Sequence, residues 1–223
     1  MKILVVSDIH GDVESLLPLL EKAPSFDVLV CPGDLTDLTQ PKGFTQEDVA
    51  RIVLEELRSF GKPLFVVPGN MDGPLLPLLE EEKTNLHGKG VVYEDVGFYG
   101  FGGAKSPIGT TFEPSEEEIW EGLEKGYQQV RESRIKVQVT HAPPFNTSLD
   151  RISSGLHVGS QSVSKFIRER RPAVAISAHI HEARGLDQLG ETKLLNAGKF
   201  SEGYCGLVRI EKEKVETEIV NLV

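Results

Sequence analysis

Residues 3–12 read Ile3-Leu4-Val5-Val6-Ser7-Asp8-Ile9-His10-Gly11-Asp12. Four branched apolar side chains in a row, with no polar residue among them, predict a short strand buried on both faces. An aspartate and a histidine follow at once, two positions apart, beside a glycine that permits a tight turn. The pattern recurs four times. Residues 28–30 run into Cys31-Pro32-Gly33-Asp34-Leu35-Thr36-Asp37, and residues 64–67 into Pro68-Gly69-Asn70-Met71-Asp72. Residues 135–139 run into Thr140-His141-Ala142-Pro143, and residues 174–176 into Ser177-Ala178-His179-Ile180-His181-Glu182.

Helical signals lie between these runs. Thr45-Gln46-Glu47-Asp48 reads as a capping box, followed by Val49, Ile52, Val53, Leu57 and Phe60 at helical spacing. Residues 162–170 read as a second helix, with Val163, Phe166 and Ile167 on one face. Strands alternating with helices predict an α/β fold. Two hairpins, 91–93 with 98–101 and 207–210 with 215–220, make part of the sheet antiparallel. With 223 residues and no linker or internal repeat, residues 1–223 are expected to form one domain. Residues 104–129 fit the core least well. Gly102-Gly103 opens them and Ser115 caps a helix bearing Ile119, Leu123 and Tyr127. They read either as a helix packed on the sheet or as a loop-plus-helix lid over the site.

Composition narrows the function classes. The formal charge of −10 argues against gripping nucleic acid by its phosphates, which needs a basic face, and no nucleic-acid partner is expected. No apolar run approaches the roughly 18 residues of a membrane span. Met1 leads directly into a core strand rather than a leader segment, so a cytoplasmic location is expected. Cys31 and Cys205 are too few and too far apart for a disulfide framework or a zinc site and are expected to be buried. No feature of the sequence sets the oligomeric state.

In an open α/β sheet, ligands bind beyond the carboxyl ends of the strands, so the five polar loops can converge on one point. If each loop is extended, Asp8 and His10 project to one side, and so do His179 and His181. Each piece alone is weak: a single Asp-x-His is commonly a turn beside a surface histidine. Five in succession are not coincidence. Mixed nitrogen and oxygen donors suit Mn²⁺, Fe, Zn²⁺, Co²⁺ or Ni²⁺ better than Ca²⁺. The converging ligands are too many for a mononuclear iron site built from two histidines and a carboxylate.

The chain here resembles the calcineurin-like metallophosphoesterase superfamily, whose signature is Asp-x-His, Gly-Asp-x-x-Asp, Gly-Asn-His-Asp or Glu, a lone His, and Gly-His-x-His. The matching residues are Asp8-Ile-His10, Gly33-Asp34-Leu-Thr-Asp37, Gly69-Asn70-Met71-Asp72, His141 and Ala178-His179-Ile-His181. The resemblance implies a two-layer mixed β-sandwich flanked by helices, with two divalent metal ions, Mn²⁺ first among the five, at the strand ends. By that resemblance Asp8, His10, Asp34 and His181 hold one ion. Asp34 bridges to a second ion, held also by Asn70, His141 and His179. A water between the ions would lose its proton near neutrality and attack phosphorus in a small phosphoester. Asp12, Asp37 and Asp72 are expected to orient these groups or their loops, and Asn196 to brace the site. His157 reads either as a structural histidine or as a residue that reaches the substrate; His87 reads as part of a surface turn.

Two departures matter. Ala178 stands for a glycine, which is mild. Met71 stands where the family carries a histidine that protonates the leaving oxygen, and Asp72 beside it is expected to orient such an imidazole. Loss of a general acid costs roughly 10²–10⁴-fold, least where the leaving group needs little protonation. The expectation is therefore a phosphodiesterase, acting also on activated monoesters. The alternative is a non-catalytic, metal-stiffened scaffold of the same fold that binds another protein.

Overall fold

A computed structural model describes residues 1–223. All five predicted strands form: β1 (Lys2–Val5), β2 (Val28–Cys31), β3 (Leu64–Val66), β6 (Ile135–Thr140) and β7 (Val174–Ser177). Both predicted hairpins form as well, β4 (Lys89–Tyr93) with β5 (Val96–Phe101), and β10 (Tyr204–Glu211) with β11 (Lys214–Asn221). A third hairpin, β8 (Gly185–Leu189) with β9 (Thr192–Asn196), was not anticipated. The strands make two mixed sheets, in the orders β11-β10-β1-β2-β3 and β4-β5-β6-β7-β9-β8.

Strict alternation along β1 explains why its sequence is apolar throughout. Ile3 and Val5 point into the space between the sheets, where they meet Phe98, Val137, Val139, Val174 and Ile176 of the second sheet. Leu4 and Val6 point the other way, into a cluster with Leu16, Leu20, Val53, Leu54 and Leu57. Those side chains come from α1 (Val13–Leu20) and α2 (Gln46–Arg58), which cover the outer face of the first sheet with α3 (Leu76–Glu81). Helices α4 (Glu116–Val130) and α5 (Gln161–Arg170) cover the outer face of the second, through Leu123, Val163 and Phe166 against Tyr99, Ala175 and Leu194. The central strands of each sheet are thus buried on both faces, and the architecture is the expected four-layer sandwich.

The capping boxes written at Thr45 and Ser115 both close, each side chain accepting from the third helical amide while Asp48 or Glu118 answers the cap's own N–H. Cys31 and Cys205 are buried free thiols. No helix is long and apolar enough to cross a membrane. Strands β1, β2 and β3 run parallel in the first sheet and β6 and β7 in the second; the five polar loops leave from their carboxyl ends, at one edge of the sandwich.

Candidate metal centre

The loops are tightly turned rather than extended. Asp8, His10, Asp34 and His179 have φ of 52°, 53°, 52° and 71°, in the left-handed region. For a residue with a Cβ this conformation is costly, on the order of 1–2 kcal/mol each. Tight stitching holds it. The amides of Asp8, His10 and Gly11 donate to the carbonyls of Gly33, Asp34 and Leu35 at 3.1, 3.0 and 2.9 Å, so the first two loops run as one unit. Asp8 and His10 still reach the same place, by a tight turn rather than by strand alternation.

Two glycines let these loops interlock. A Cβ on Gly69 would collide with the Asp34 carboxylate, which crosses the space a side chain would fill. A Cβ on Gly33, whose φ is +107°, would lie 2.5 Å from the Gly69 nitrogen and 2.8 Å from His141 Nδ1. The loops after β2, β3 and β6 can therefore approach only because these two positions lack side chains.

The seven expected ligands converge. One group comprises Asp8, His10 and His181; another comprises Asp34, His141 and His179. In the first, His10 Nε2 and His181 Nε2 face each other at 3.2 Å, and His181 Nε2 lies 3.3 Å from Asp8 Oδ1. In the second, His141 Nε2 lies 2.8 Å from Asn70 Oδ1 and 3.5 Å from Asp34 Oδ2. The same Asp34 oxygen is 3.9 Å from His10 Nε2, so it stands between the two groups. Its other oxygen accepts from the Met71 amide at 3.0 Å, which fixes the carboxylate.

Three of the four rings are turned by a partner on the far side. His10 Nδ1 donates to Asp37 Oδ1 at 2.6 Å, as expected of a supporting carboxylate. His141 Nδ1 donates to the Pro32 carbonyl at 2.8 Å, and His179 Nε2 to the Lys105 carbonyl at 3.1 Å, leaving His179 Nδ1 for the centre. Those two carbonyls had no signature in the sequence, because any residue supplies one. Asn196 ties Ile180 O (2.9 Å from its Nδ2) to Gly198 N (2.9 Å from its Oδ1), bracing the loop that carries His179 and His181.

Burial and charge oppose each other strongly here. Burial works to raise the Asp34 pKa, but the His141 charge and hydrogen bond, with His10, bring it down to about 2. Burial works to lower His141, and Asp34 with Asp8 outweighs it, raising the imidazole to about 9. His179 is lowered to about 4 by burial and by the neighbouring His141. For His181, burial is outweighed by the hydrogen bond and charge of Asp8, and its pKa rises.

Several expectations need correction. Asp12 does not orient a ligand: it caps α1, accepting from Ser15 N at 3.2 Å. Asp72 is fully buried and turned into the protein, accepting from Leu35 N, Gly69 N and Thr36 N at 3.0, 2.9 and 3.3 Å. It clamps the loops after β2 and β3, and with the Thr36 hydroxyl donating to Oδ1 at 3.4 Å its acceptor sites are taken, leaving none for an imidazole at position 71. Burial, then the Asp34 charge, raises its pKa to about 6. His157 belongs to neither ligand group. Its Nδ1 donates to Asp150 Oδ1 at 2.7 Å, and its ring lines a groove of about 610 Å³ with Glu182, Arg184 and Asp187. Asp150 itself, buried and holding the amides of Asn146, Thr147 and Gly159, was missed because its partners are backbone groups. His87 is not a surface turn. Its ring packs 4.0 Å from that of Phe101, Nδ1 accepts from Gly102 N at 3.0 Å, and burial lowers its pKa to about 4.

Residues 104–129 divide. Helix α4 packs against β4 and β5, where Gly90, Gly97 and Gly126 allow close approach. The loop before it reaches the centre: Lys105 O holds His179, Phe112 N donates to Asn70 O at 3.0 Å, and Thr111 Oγ1 donates to Met71 O at 3.0 Å.

The donor set fits a pair of divalent cations. Asp8 Oδ2 is buried with no hydrogen-bond partner, and the two facing imidazole nitrogens of His10 and His181 converge on one point where a cation satisfies both. Comparison with known proteins agrees. A model of the calcineurin-like phosphoesterase family matches residues 1–183. The chain is 35% identical over 205 residues to the uncharacterized protein MJ1162 of Methanocaldococcus jannaschii, covering 88% of this chain and 87% of that protein. In fold it is similar to TT1561 of Thermus thermophilus (TM-score 0.74, 22% identity, 100% and 99% of the two chains). It is also similar to a dimetal phosphatase from Danio rerio (TM-score 0.73, 11% identity, 100% and 96%). From its fold, its donor set and the length of the match, the chain belongs to the calcineurin-like phosphoesterase family, whose chemistry is metal-dependent hydrolysis of phosphoesters.

Proposed function

We propose that this chain is a dinuclear phosphodiesterase, active also on activated monoesters, and that residues 1–223 act as one domain. The observation that carries the reading is the Asp34 Oδ2 atom standing between two histidine groups. In this assignment Asp8, His10, Asp34 and His181 hold one ion, and Asp34, Asn70, His141 and His179 the other. Two such cations supply a water acidic enough to ionise near neutrality and neutralise charge on the phosphoryl oxygens. The chain's part is to hold geometry. Asp37, Pro32 O and Lys105 O fix three imidazoles, and Asp72 locks the two loops that carry Asp34 and Asn70.

Met71 offers no proton, so the departing oxygen must leave without an acid at that position. This favours diesters and activated esters over simple alkyl monoesters. His157, in its groove beyond Glu182, is assigned to the ester's distal arm. The loop 104–114 is assigned the role of covering the bound ester, and α4 is excluded from that role by its packing. Mn²⁺ is the preferred ion, and the free buried Cys31 and Cys205 support a reducing, cytoplasmic location.

The test is metal analysis joined to a phosphoester panel under Mn²⁺, Ni²⁺ and Zn²⁺. Chelation is expected to abolish turnover and Mn²⁺ to restore it. A fully metallated sample that turns over no monoester or diester overturns the enzyme reading in favour of the scaffold, which Met71 alone supports.

A further inference from the structure

The carbonyl of Met71 is a junction. It accepts from Gln46 Nε2 at 2.8 Å and from Thr111 Oγ1 at 3.0 Å, while the Met71 amide holds Asp34. Two loops that are remote in sequence, 37–45 and 105–111, are thereby pinned to either side of the residue that replaces the family's histidine. Both loops carry large apolar side chains in solvent. Leu38 follows Asp37, the partner of His10, and is 47% exposed. Phe44, two residues before Gln46, is 51% exposed, and Ile108, three residues before Thr111, is 76% exposed. None of the three is needed by the core. Both loops also touch the centre itself, the first through Asp37 on His10 and the second through Lys105 O on His179, so these three side chains and the half-buried Met71 are the apolar groups available to form a lip on the metal edge. Lys42 and Lys105 stand in the same loops, so the lip carries cations in a chain whose net charge is −10.

We propose that this lip receives the alkyl or aryl arm of an amphiphilic phosphoester, so that the substrate class is an anionic phosphoryl group carrying an apolar substituent. The inference rests on the phosphoesterase reading of the same centre. An apolar arm gains from leaving water against Leu38, Phe44, Met71 and Ile108. A histidine at position 71 would place a polar group in the middle of that contact. The lip is continuous with the centre through the Met71 amide and Asp34, which is why its occupant is an arm of the bound ester rather than a separate molecule.

The experiment uses the full chain loaded with Mn²⁺ and needs no turnover. Methyl-, butyl- and octylphosphonate are titrated calorimetrically, beside a hydrolysis series of nitrophenyl alkyl phosphodiesters with the same chains. Affinity is expected to rise about twofold per added methylene, below the roughly fourfold of complete burial. Leu38→Ser with Ile108→Ser should cut the octyl-to-methyl affinity ratio at least fivefold. Val92→Ser, at a 54% exposed site on the β4–β5 hairpin, should leave that ratio as it is. An affinity independent of chain length overturns the proposal, even if every diester is hydrolysed. Rising affinity with no turnover keeps the lip and overturns the hydrolase reading instead. Dimers at micromolar concentration that the paired serine substitution dissociates would also overturn it, by assigning the lip to a second copy of the chain.

Discussion

The two halves of the centre are built differently. Asp34, Asn70 and His141 are almost wholly buried, and each is held from behind by backbone: the Met71 amide, the 111–112 segment and the Pro32 carbonyl. His10 and His181 are only partly buried; they face each other, and His10 leans on a half-exposed carboxylate, Asp37. The buried half is part of the protein's interior architecture, so its side chains have structural partners whether or not an ion is bound. In the open half only the imidazoles are exposed: Asp8 is fully buried and its Oδ2 has no partner, while His179 is the one partly exposed member of the other half. One half is thus coupled to folding, and the other chiefly to ligand binding.

The substitution that should break this division most completely is Asp34→Asn, because Asp34 alone faces both halves. We expect kcat/KM to fall by at least about 10³-fold and metal content to drop by at least one ion per chain. Asp37→Asn touches only the open half and should cost about tenfold, in the range for partners of metal ligands. Metal stoichiometry and rates on one activated diester compare them; equal losses would mean that Asp34 does not join the halves.

Stability of the metal-free protein sharpens the contrast. His141→Asn leaves the Asp34 charge and the Pro32 carbonyl buried without their partner, and should cost about 2–3 kcal/mol. His181→Asn removes a partly exposed partner of Asp8, which keeps the His179 amide, and should cost less, about 1 kcal/mol. Chemical denaturation in a chelator separates them, and similar midpoints for the two variants would erase the distinction.

A pH measurement tests whether acid weakness belongs to the centre at all. His87 is lowered by burial to about 4, below its ordinary value, so the unfolded chain takes up a proton at this site that the folded chain refuses. Stability from this group is complete above about pH 6.5 and is lost as pH falls toward 4. His87→Gln should flatten the fall over that window by on the order of 2 kcal/mol. An unchanged slope would place the acid sensitivity elsewhere.

Met71→His should have the smallest effect. Asp72 already serves three backbone amides, so nothing waits to orient the new ring. A gain of no more than about threefold is expected on an ester with a poor leaving group, far short of the 10²–10⁴-fold of a positioned acid. Tenfold or more, confined to poor leaving groups, would show that an imidazole there finds its own partner.

What the sequence made legible were the features governed by side-chain pattern. Residues 3–6 and 135–139 announced strands because both of their faces are covered, and the donor residues announced themselves because only a few types bind metal. What it hid were features governed by backbone. The β8–β9 hairpin has an exposed, mixed strand, Gly185–Leu189, with no run of apolar residues to mark it. Helix α1 holds Pro18 in its interior, and a proline there argues against a helix. Asp12 caps a helix and Asp72 holds loops rather than a ring for one reason: a carboxylate satisfies an amide as well as an imidazole. His87 looked exposed because it sits beside a glycine, whereas the Phe101 ring covers it.

Strand β1 has a consequence for the order of events during synthesis. It lies between β2 and β10, and its pairing with β10 joins Lys2 to Arg209 and Val5 to Gly206. The amino group of Met1 donates to the carbonyl of Ile210 across 209 positions of sequence. Strand β1 therefore waits, with one hydrogen-bonding edge open, until β10 has been made. Contacts so distant in sequence slow folding, and an open apolar strand edge is a template for association between chains. The first sheet cannot close before β10 is made, so the edge of β1 stays open to other chains across the synthesis of every element between them.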